Sequence, residues 1–401
     1  MDEKEARTRA SEATGILGRR LSNDVLFNIA THKYKSGTYT PIDNFLNPFW
    51  AWCASFLPLW LAPNMVTLIG LGFNVYAIYL MTVETHGTFE GPIRPWVNIV
   101  CGLCLFVYQT LDAMDGKHAR ATNNSSPLGQ LFDHGCDALS TPLMIATLLS
   151  CIQIGHSNMI VYSLLGAQVP FFLAQWAESK TGAMQHSLGG LFGVTETQLT
   201  FIVIHLVSAF LPTEFWTQQC GDLSMLGFSS VALYPNTLLV FGVLVPGSVL
   251  MVLNQFWSTP ADFASYSQLI GALLPIGSVT WYLHTSEGEA IFADHSHKIL
   301  SMMAISMVYM TTQMIVMNMG HGTFAVFQPT SLVIFFSLIS LNYNDMLVIS
   351  IGSLDLYLQL ILGAIVTTYV LWSCSAITEI CYVLDIKCLT INVPKKKKKG
   401  E

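Results

Sequence analysis

Eight stretches of this chain contain no aspartate, glutamate, lysine or arginine: 44–83, 95–111, 138–177, 198–213, 223–261, 263–286, 299–344 and 356–378. About 20 apolar residues cross a bilayer as a helix, so the longest stretches must each hold more than one element. Charged residues make up only 11% of the 401 residues, under half of the roughly 25% found in soluble domains. Too few charges remain to cover a water-facing surface, and most of the chain must use lipid as its solvent. Disorder, coiled coil, collagen and nucleic-acid binding are excluded as main themes. The pattern predicts an all-α, polytopic transmembrane helical bundle of about ten spans, near 63–83, 96–118, 129–153, 158–178, 197–213, 235–258, 264–284, 298–319, 327–344 and 356–384. The segment 43–61 is apolar but studded with Trp, Phe and Pro, which suits an N-terminal interfacial amphipathic helix.

Lysine and arginine set the orientation. With ten spans and a cytoplasmic N-terminus, only Arg94 and Lys298 of the 18 basic residues fall on the far side. Both termini are therefore expected in the cytoplasm. The first 40 residues are polar and carry no signal-peptide core, so the first span is expected to direct insertion. Nine cysteines sit mostly in apolar runs, and the Cys101–Cys104 pair has no second pair to complete a zinc set. They read as small apolar residues, and the crowded methionines of 302–319 read as adaptable packing. Asp355 and Glu379, in the last span, read as snorkelling helix ends.

One stretch breaks the apolar pattern, from Leu111 to Arg120 and again from Gly129 to Asp137. Asp112 and Asp115 are three apart and share a helix face; Asp133 and Asp137 are four apart and share a face of the next helix. The short connection, with Asn123, Asn124 and Pro127, makes the two helices antiparallel neighbours. Four carboxylates thus converge near the cytoplasmic boundary. Each costs roughly 2.5–3.5 kcal/mol at mid-membrane. Lys117 and Arg120 cannot neutralise four acids at close range, whereas one or two divalent cations can. Oxygen ligands favour Mg²⁺, Mn²⁺ or Ca²⁺ over zinc. Gly116, Ala119 and Gly129 let a ligand approach the backbone, and Lys117 and Arg120 suit phosphate oxygens. Together these residues read as a metal-dependent diphosphate site. Clustered intramembrane acids also mark ion paths, but here no carboxylates repeat at mid-membrane in the second half. No matching pair of broken helices of the transporter kind is visible either.

The pattern Asp112-x2-Asp115-Gly116-x2-Ala119-Arg120-x8-Gly129-x3-Asp133-x3-Asp137 resembles the signature of the CDP-alcohol phosphotransferases at every fixed position. Pro48-Phe49-Trp50, Ala62-Pro63-Asn64, the block from Asn124 to His134, and Val194-Thr195-Glu196 resemble the eukaryotic choline/ethanolamine phosphotransferases, as does the length. The likeness is strong over 35–215 and general beyond.

The resemblance implies transfer of phosphocholine or phosphoethanolamine from a CDP ester to diacylglycerol, releasing CMP; an inositol-type member is the alternative. It implies that Asp112, Asp115, Asp133 and Asp137 bind metal, Mg²⁺ or Mn²⁺ and two ions. Asn64, Gly116, Lys117, Ala119, Arg120 and Gly129 would hold the CDP part. His134 and Glu196 would deprotonate the acceptor alcohol. Trp176 and Glu178 precede the cytoplasmic loop and offer a choline ammonium a cation–π and a charge contact, although an interface tryptophan is the plainer reading. The expected organisation is a cytoplasmic segment and interfacial helix over 1–61, a catalytic transmembrane domain over 62–215, further transmembrane helices over 216–386 and a basic tail over 387–401. Membrane lipids surround it, and the resemblance implies a homodimer. Lys398 and Lys399 resemble a dilysine retrieval signal, so the endoplasmic reticulum membrane is the expected location, with the Golgi as the alternative and the active site cytoplasmic.

Overall fold

The computed structural model describes residues 3–16, 18–33, 37, 39–155, 159–185, 187–223, 228–343 and 353–392. Eight helices lead to the site: α1 (Glu3–Glu12), α2 (Asn23–Thr31), α3 (Pro41–Ala54), α4 (Pro63–Glu84), α5 (Pro95–Ala121), α6 (Pro127–Cys151), α7 (Met159–Thr181) and α8 (Val194–Ser208). Later come Pro235–Ser258, the pair Phe263–Ser267 and Ile270–Tyr282, then Ser286–Met319, Pro329–Tyr343 and Leu354–Leu384. Among the described residues, six helices are long and apolar enough to cross a membrane, and Val194–Ser208 and Pro329–Asn342 are shorter apolar helices. The α6 helix is long but carries two aspartates, which dilute its hydropathy. The chain is an all-α polytopic membrane protein.

Helices α4, α5 and α6 all begin with proline in the first turn, where a missing N–H costs no helical hydrogen bond. Ser126 caps α6 by accepting a hydrogen bond from the Gly129 N–H at 3.2 Å. Between α5 and α6 the backbone turns through Asn123 at φ 55°, a left-handed conformation that asparagine tolerates. The α4 helix packs on α5 and α6, and α5 packs on α8. At Gly102 a Cβ would stand 3.2 Å from the His205 side chain, so glycine permits this close approach of α8.

A large core joins Tyr108, Leu148 and Leu149 to Ile299, Met303 and Leu358. A second joins Leu26 and Ile29 of α2 to Leu128 of α6, Met319 and Ile380. Met302, Met303, Met307, Met310, Met314 and Met319 are all buried, as expected of packing residues. The segment expected at the interface contains α3: its Asp43 and Trp50 are buried, while Phe45 and Trp52 stand exposed.

Several elements differ from the sequence reading. The span expected at 264–284 is broken between Ser267 and Ile270. The span expected from 298 begins at Ser286 and kinks at His295. The tract 223–261 opens with a strand pair, β3 of Gly221–Leu223 and β4 of Phe228–Leu233, ahead of its long helix, an element that scanning for apolar helices does not see. The polar sequence hid α1, and α2, though amphipathic with Val25, Leu26 and Ile29 buried, is too short to stand out. Of the two acids read as snorkelling ends, Asp355 is half-exposed in the first turn of its helix, as that reading expects, and Glu379 is not one. Asp355 pairs with the Lys298 ammonium. Glu379 is fully buried and accepts the backbone N–H groups of Arg20 at 2.7 Å and Leu21 at 2.9 Å. This carboxylate clamps the N-terminal segment onto the last helix. Glu379→Ala leaves both N–H groups unpaired and should destabilise by about 3 kcal/mol, with Glu379→Gln milder. Melting in detergent, followed by intrinsic fluorescence, checks the order wild type, Gln, Ala.

Candidate active site

Helices α5 and α6 deliver the aspartates as their spacing requires. One carboxylate oxygen from each of Asp112, Asp133 and Asp137 lies within 4.8 Å of the others. Asp115 stands outside that trio; it is buried, and its Oδ2 accepts a 2.5 Å hydrogen bond from the Thr67 hydroxyl of α4. Tyr108 donates to Asp137 Oδ1, also at 2.5 Å. Asp112 Oδ1 is buried with no hydrogen-bond partner. A buried carboxylate oxygen left unpaired in an apolar bundle is costly, and a divalent cation among three convergent oxygens removes that cost. The donor set, all carboxylate, suits Mg²⁺ or Mn²⁺.

A polar cleft of about 410 Å³ opens beside the acids. Asp115 and Asp133 form its floor, and Asn64, Gly116, Ala119, Arg120 and Gly129 line it with Asn124, Ser126 and Gln130. The N-terminus of α6 faces this space, and helix N-termini favour anions. A Cβ on Gly129 would meet only Asn64 Oδ1 and Ser126 Oγ, both at 3.8 Å, so a side chain there would occupy the cleft. Lys117 does not line the cleft; its Nζ stands 5.8 Å from the Trp50 ring centroid, toward α3. His32 and Lys33, which sequence reasoning passed over, line the cleft from the end of α2. Burial lowers the His32 pKa, and its Nε2 lies 2.9 Å from Gln130 Oε1.

On the other side of the acids lies an apolar cavity of about 250 Å³. Met144, Ile145, Phe171, Phe201, Leu244 and Met251 give it its character, and Asp137 and Gly193 are in its wall. Gly193 ends the small hairpin of β1 (Ser187–Leu188) and β2 (Phe192–Gly193), just before α8.

His134 is buried, and its Nδ1 lies 3.2 Å from the Gln175 side-chain nitrogen of α7. Gln175 Oε1 is buried without a partner. Glu196, also buried, holds the Gly193 N–H through Oε2 at 2.8 Å, while its Oε1 has no hydrogen-bond partner. The start of α8 is fixed from two sides. The Thr195 hydroxyl donates to Asp43 Oδ1 of α3 at 2.6 Å, and Gln109 of α5 donates to the Thr195 carbonyl at 3.2 Å. Gln175, Thr67 and Tyr108 were missed from sequence because glutamine, threonine and tyrosine in apolar helices carry no spacing signal of their own. Trp176 is fully buried, its Nε1 bonded to the Ser265 carbonyl, and is a packing residue. Glu178 is buried one residue behind the cleft, against Gln130 at 3.3 Å.

Comparison with known proteins agrees with this geometry. Residues 60–245 match the family model described as CDP-alcohol phosphatidyltransferase. An uncharacterized CDP-alcohol phosphatidyltransferase class-I family protein of Dictyostelium discoideum is 28% identical over 376 residues, covering 92% of this chain and 94% of the other. Cholinephosphotransferase 1 of Rattus norvegicus is 36% identical over 202 residues, half of each chain. Its Homo sapiens counterpart is 35% identical over 202 residues, covering 50% of this chain and 48% of the other. The match to the cholinephosphotransferases thus spans about half their length. The matched segment contains all four aspartates and the start of α8, so this multi-pass membrane protein carries over residues 60–245 a segment that matches the CDP-alcohol phosphatidyltransferase family model.

Proposed function

We propose that the protein transfers phosphocholine or phosphoethanolamine from its CDP ester to the free hydroxyl of diacylglycerol, releasing CMP. The observation that carries this reading is the place of the aspartates, between a polar cleft and an apolar cavity. A water-soluble nucleotide suits the first and a lipid alcohol the second. An inositol acceptor would need polar walls where Phe171, Phe201 and Leu244 stand.

In this reading Asn64, Gly116, Ala119, Arg120 and Gly129 hold the CDP part, with Lys117 adding positive charge nearby. Arg120 and the α6 N-terminus face the diphosphate. Bound at Asp112, Asp133 and Asp137, with Asp115 beside them, one or two Mg²⁺ or Mn²⁺ ions supply charge neutralisation at the diphosphate. The acceptor oxygen attacks the phosphorus bearing the head group; the bond to the CMP oxygen breaks, and CMP leaves with its pair of electrons. The acceptor's proton goes to His134 Nε2. That role requires Nδ1 to carry the other proton, so the Gln175 amide must present its oxygen to Nδ1, which also satisfies the otherwise unpartnered Oε1. Glu196, with Oε1 open, stabilises the imidazolium that forms.

Residues 62–215 form the catalytic domain in this account, framed by 1–61 and 216–386. The cleft faces the cytoplasm of an endoplasmic reticulum membrane, where CDP esters are soluble and diacylglycerol arrives laterally. The basic tail with Lys398 and Lys399 lies outside the described residues.

Label transfer from CDP-choline and CDP-ethanolamine, run separately with purified protein, diacylglycerol and Mg²⁺, tests the assignment; transfer from neither refutes it. Activity should vanish in excess EDTA and return with Mg²⁺ or Mn²⁺. Asp133→Asn should be inactive while still inserting in the membrane and losing the Mn²⁺ signal of bound metal by electron paramagnetic resonance. His134→Ala should lower turnover by at least about 10²-fold with CMP binding retained. Glu196→Gln should be milder, and the double mutant little worse than His134→Ala. Near-normal turnover in His134→Ala would move the base to Glu196 or Asp137.

A further inference from the structure

The last helix ends at Asp385, which turns left-handed at φ 55°, and the chain then crosses to the rim of the polar cleft. There it makes two contacts with cleft-lining amides. Asn64 Nδ2 donates to the Cys388 carbonyl at 2.8 Å, and the Asn392 backbone N–H donates to Asn124 Oδ1 at 2.7 Å. Asn392 also closes its own loop: Lys387 N–H donates to Asn392 Oδ1 at 2.7 Å, and Asn392 Nδ2 donates to the Lys387 carbonyl at 3.2 Å. The root of the segment is held by Arg9, whose guanidinium lies 3.2 Å from Asp385 Oδ1.

We propose that Asp385–Asn392 braces the rim of the nucleotide site from behind and that Asn392 is a positioning residue for it, an inference that rests on the functional reading above. A carbonyl only accepts, so the Cys388 oxygen must face the NH₂ end of the Asn64 amide. The Asn64 oxygen is thereby turned toward Gly129 and the cleft. Asn124 is held at both ends as well, its Nδ2 donating to the Thr122 carbonyl at 2.7 Å. The segment therefore braces the turn between α5 and α6 that sets the distance between the two aspartate pairs. Asn392 touches no reacting atom. Its loop decides where two amides point before the nucleotide arrives, and preorganised donors and acceptors bind without the cost of ordering them.

The test uses the full chain in detergent with Mg²⁺ and radiolabelled CMP in equilibrium dialysis. Asn392→Ala should weaken CMP binding by about fivefold, the size of one lost hydrogen bond. In turnover it should raise KM for the CDP ester more than it lowers kcat. Asn392→Asp, which keeps the acceptor for the Lys387 N–H, should recover most of the loss. Unchanged CMP binding in Asn392→Ala, beside a loss in Asn64→Ala, overturns the inference and leaves the functional reading standing. A wild-type chain that binds no CMP overturns both. Hydrogen exchange on the wild type gives a readout that needs no variant. Adding CMP and Mg²⁺ should slow exchange in the peptide spanning 386–392, and an unaltered rate overturns the proposal.

Discussion

Five residues, Thr122–Ser126, separate the end of α5 from the start of α6. So short a connection turns the chain straight back, and where α5 and α6 meet beside it, with α4 packed on both, Asp112 stands across from Asp133 and Asp137. The rest of the protein accommodates that juxtaposition of like charges. Thr67 and Tyr108 each give a hydrogen bond to a carboxylate that would otherwise stand bare. Asn123 takes the left-handed backbone conformation that lets the chain reverse quickly. Proline at the start of α6 and Ser126 at its cap set where the helix begins, and hence where its acids face.

The helical architecture was legible because lipid imposes a long, charge-free period that few other folds share. All ten expected spans have helical counterparts, but among the described residues six are long and apolar enough to cross a membrane, and the one near 264–284 is two short pieces. The aspartate spacing and the small residues were legible for the same reason: an acid in an apolar run is conspicuous. Polar residues without charge were not. Gln175 beside His134, and Thr67 beside Asp115, lie 41 and 48 residues away in sequence, and nothing local distinguishes them from ordinary packing residues. Lys117 shows the opposite limit. Its charge and place in the motif point to phosphate, yet one helical turn decides direction, and its ammonium stands toward Trp50 and α3. Glu379 was misread because an acid near a helix end ordinarily reaches for water; here a loop folded over it and supplied two N–H groups instead.

The two cavities differ in what their walls can hydrogen-bond. The polar cleft is walled by amides, hydroxyls and a guanidinium; the apolar cavity is walled chiefly by aliphatic and aromatic side chains, with the π-helical turn Val240–Leu244 contributing Val243 and Leu244. The aspartate cluster borders both, Asp133 on the one side and Asp137 on the other. Those residues are four apart on one helix, so a single rigid rod spans the boundary between the polar and the apolar cavity, which the proposed function makes the nucleotide and the lipid half of the site. Rigidity at that boundary matters because a reaction between partners held in different solvents depends on alignment more than on encounter.

The contacts from Cys388 and Asn392 to Asn64 and Asn124 carry a further consequence, one of timing. Protein chains are made from the N-terminus, so α4, α5 and α6 enter the bilayer while the helix Leu354–Leu384 has yet to be synthesised. Through that interval the aspartates are already together, but the rim of the cleft lacks the backbone carbonyl that turns Asn64 and the N–H that holds Asn124. On the proposed reading, the nucleotide site of nascent protein therefore stays unfinished until the helix Leu354–Leu384 has been made and the segment after it has folded back.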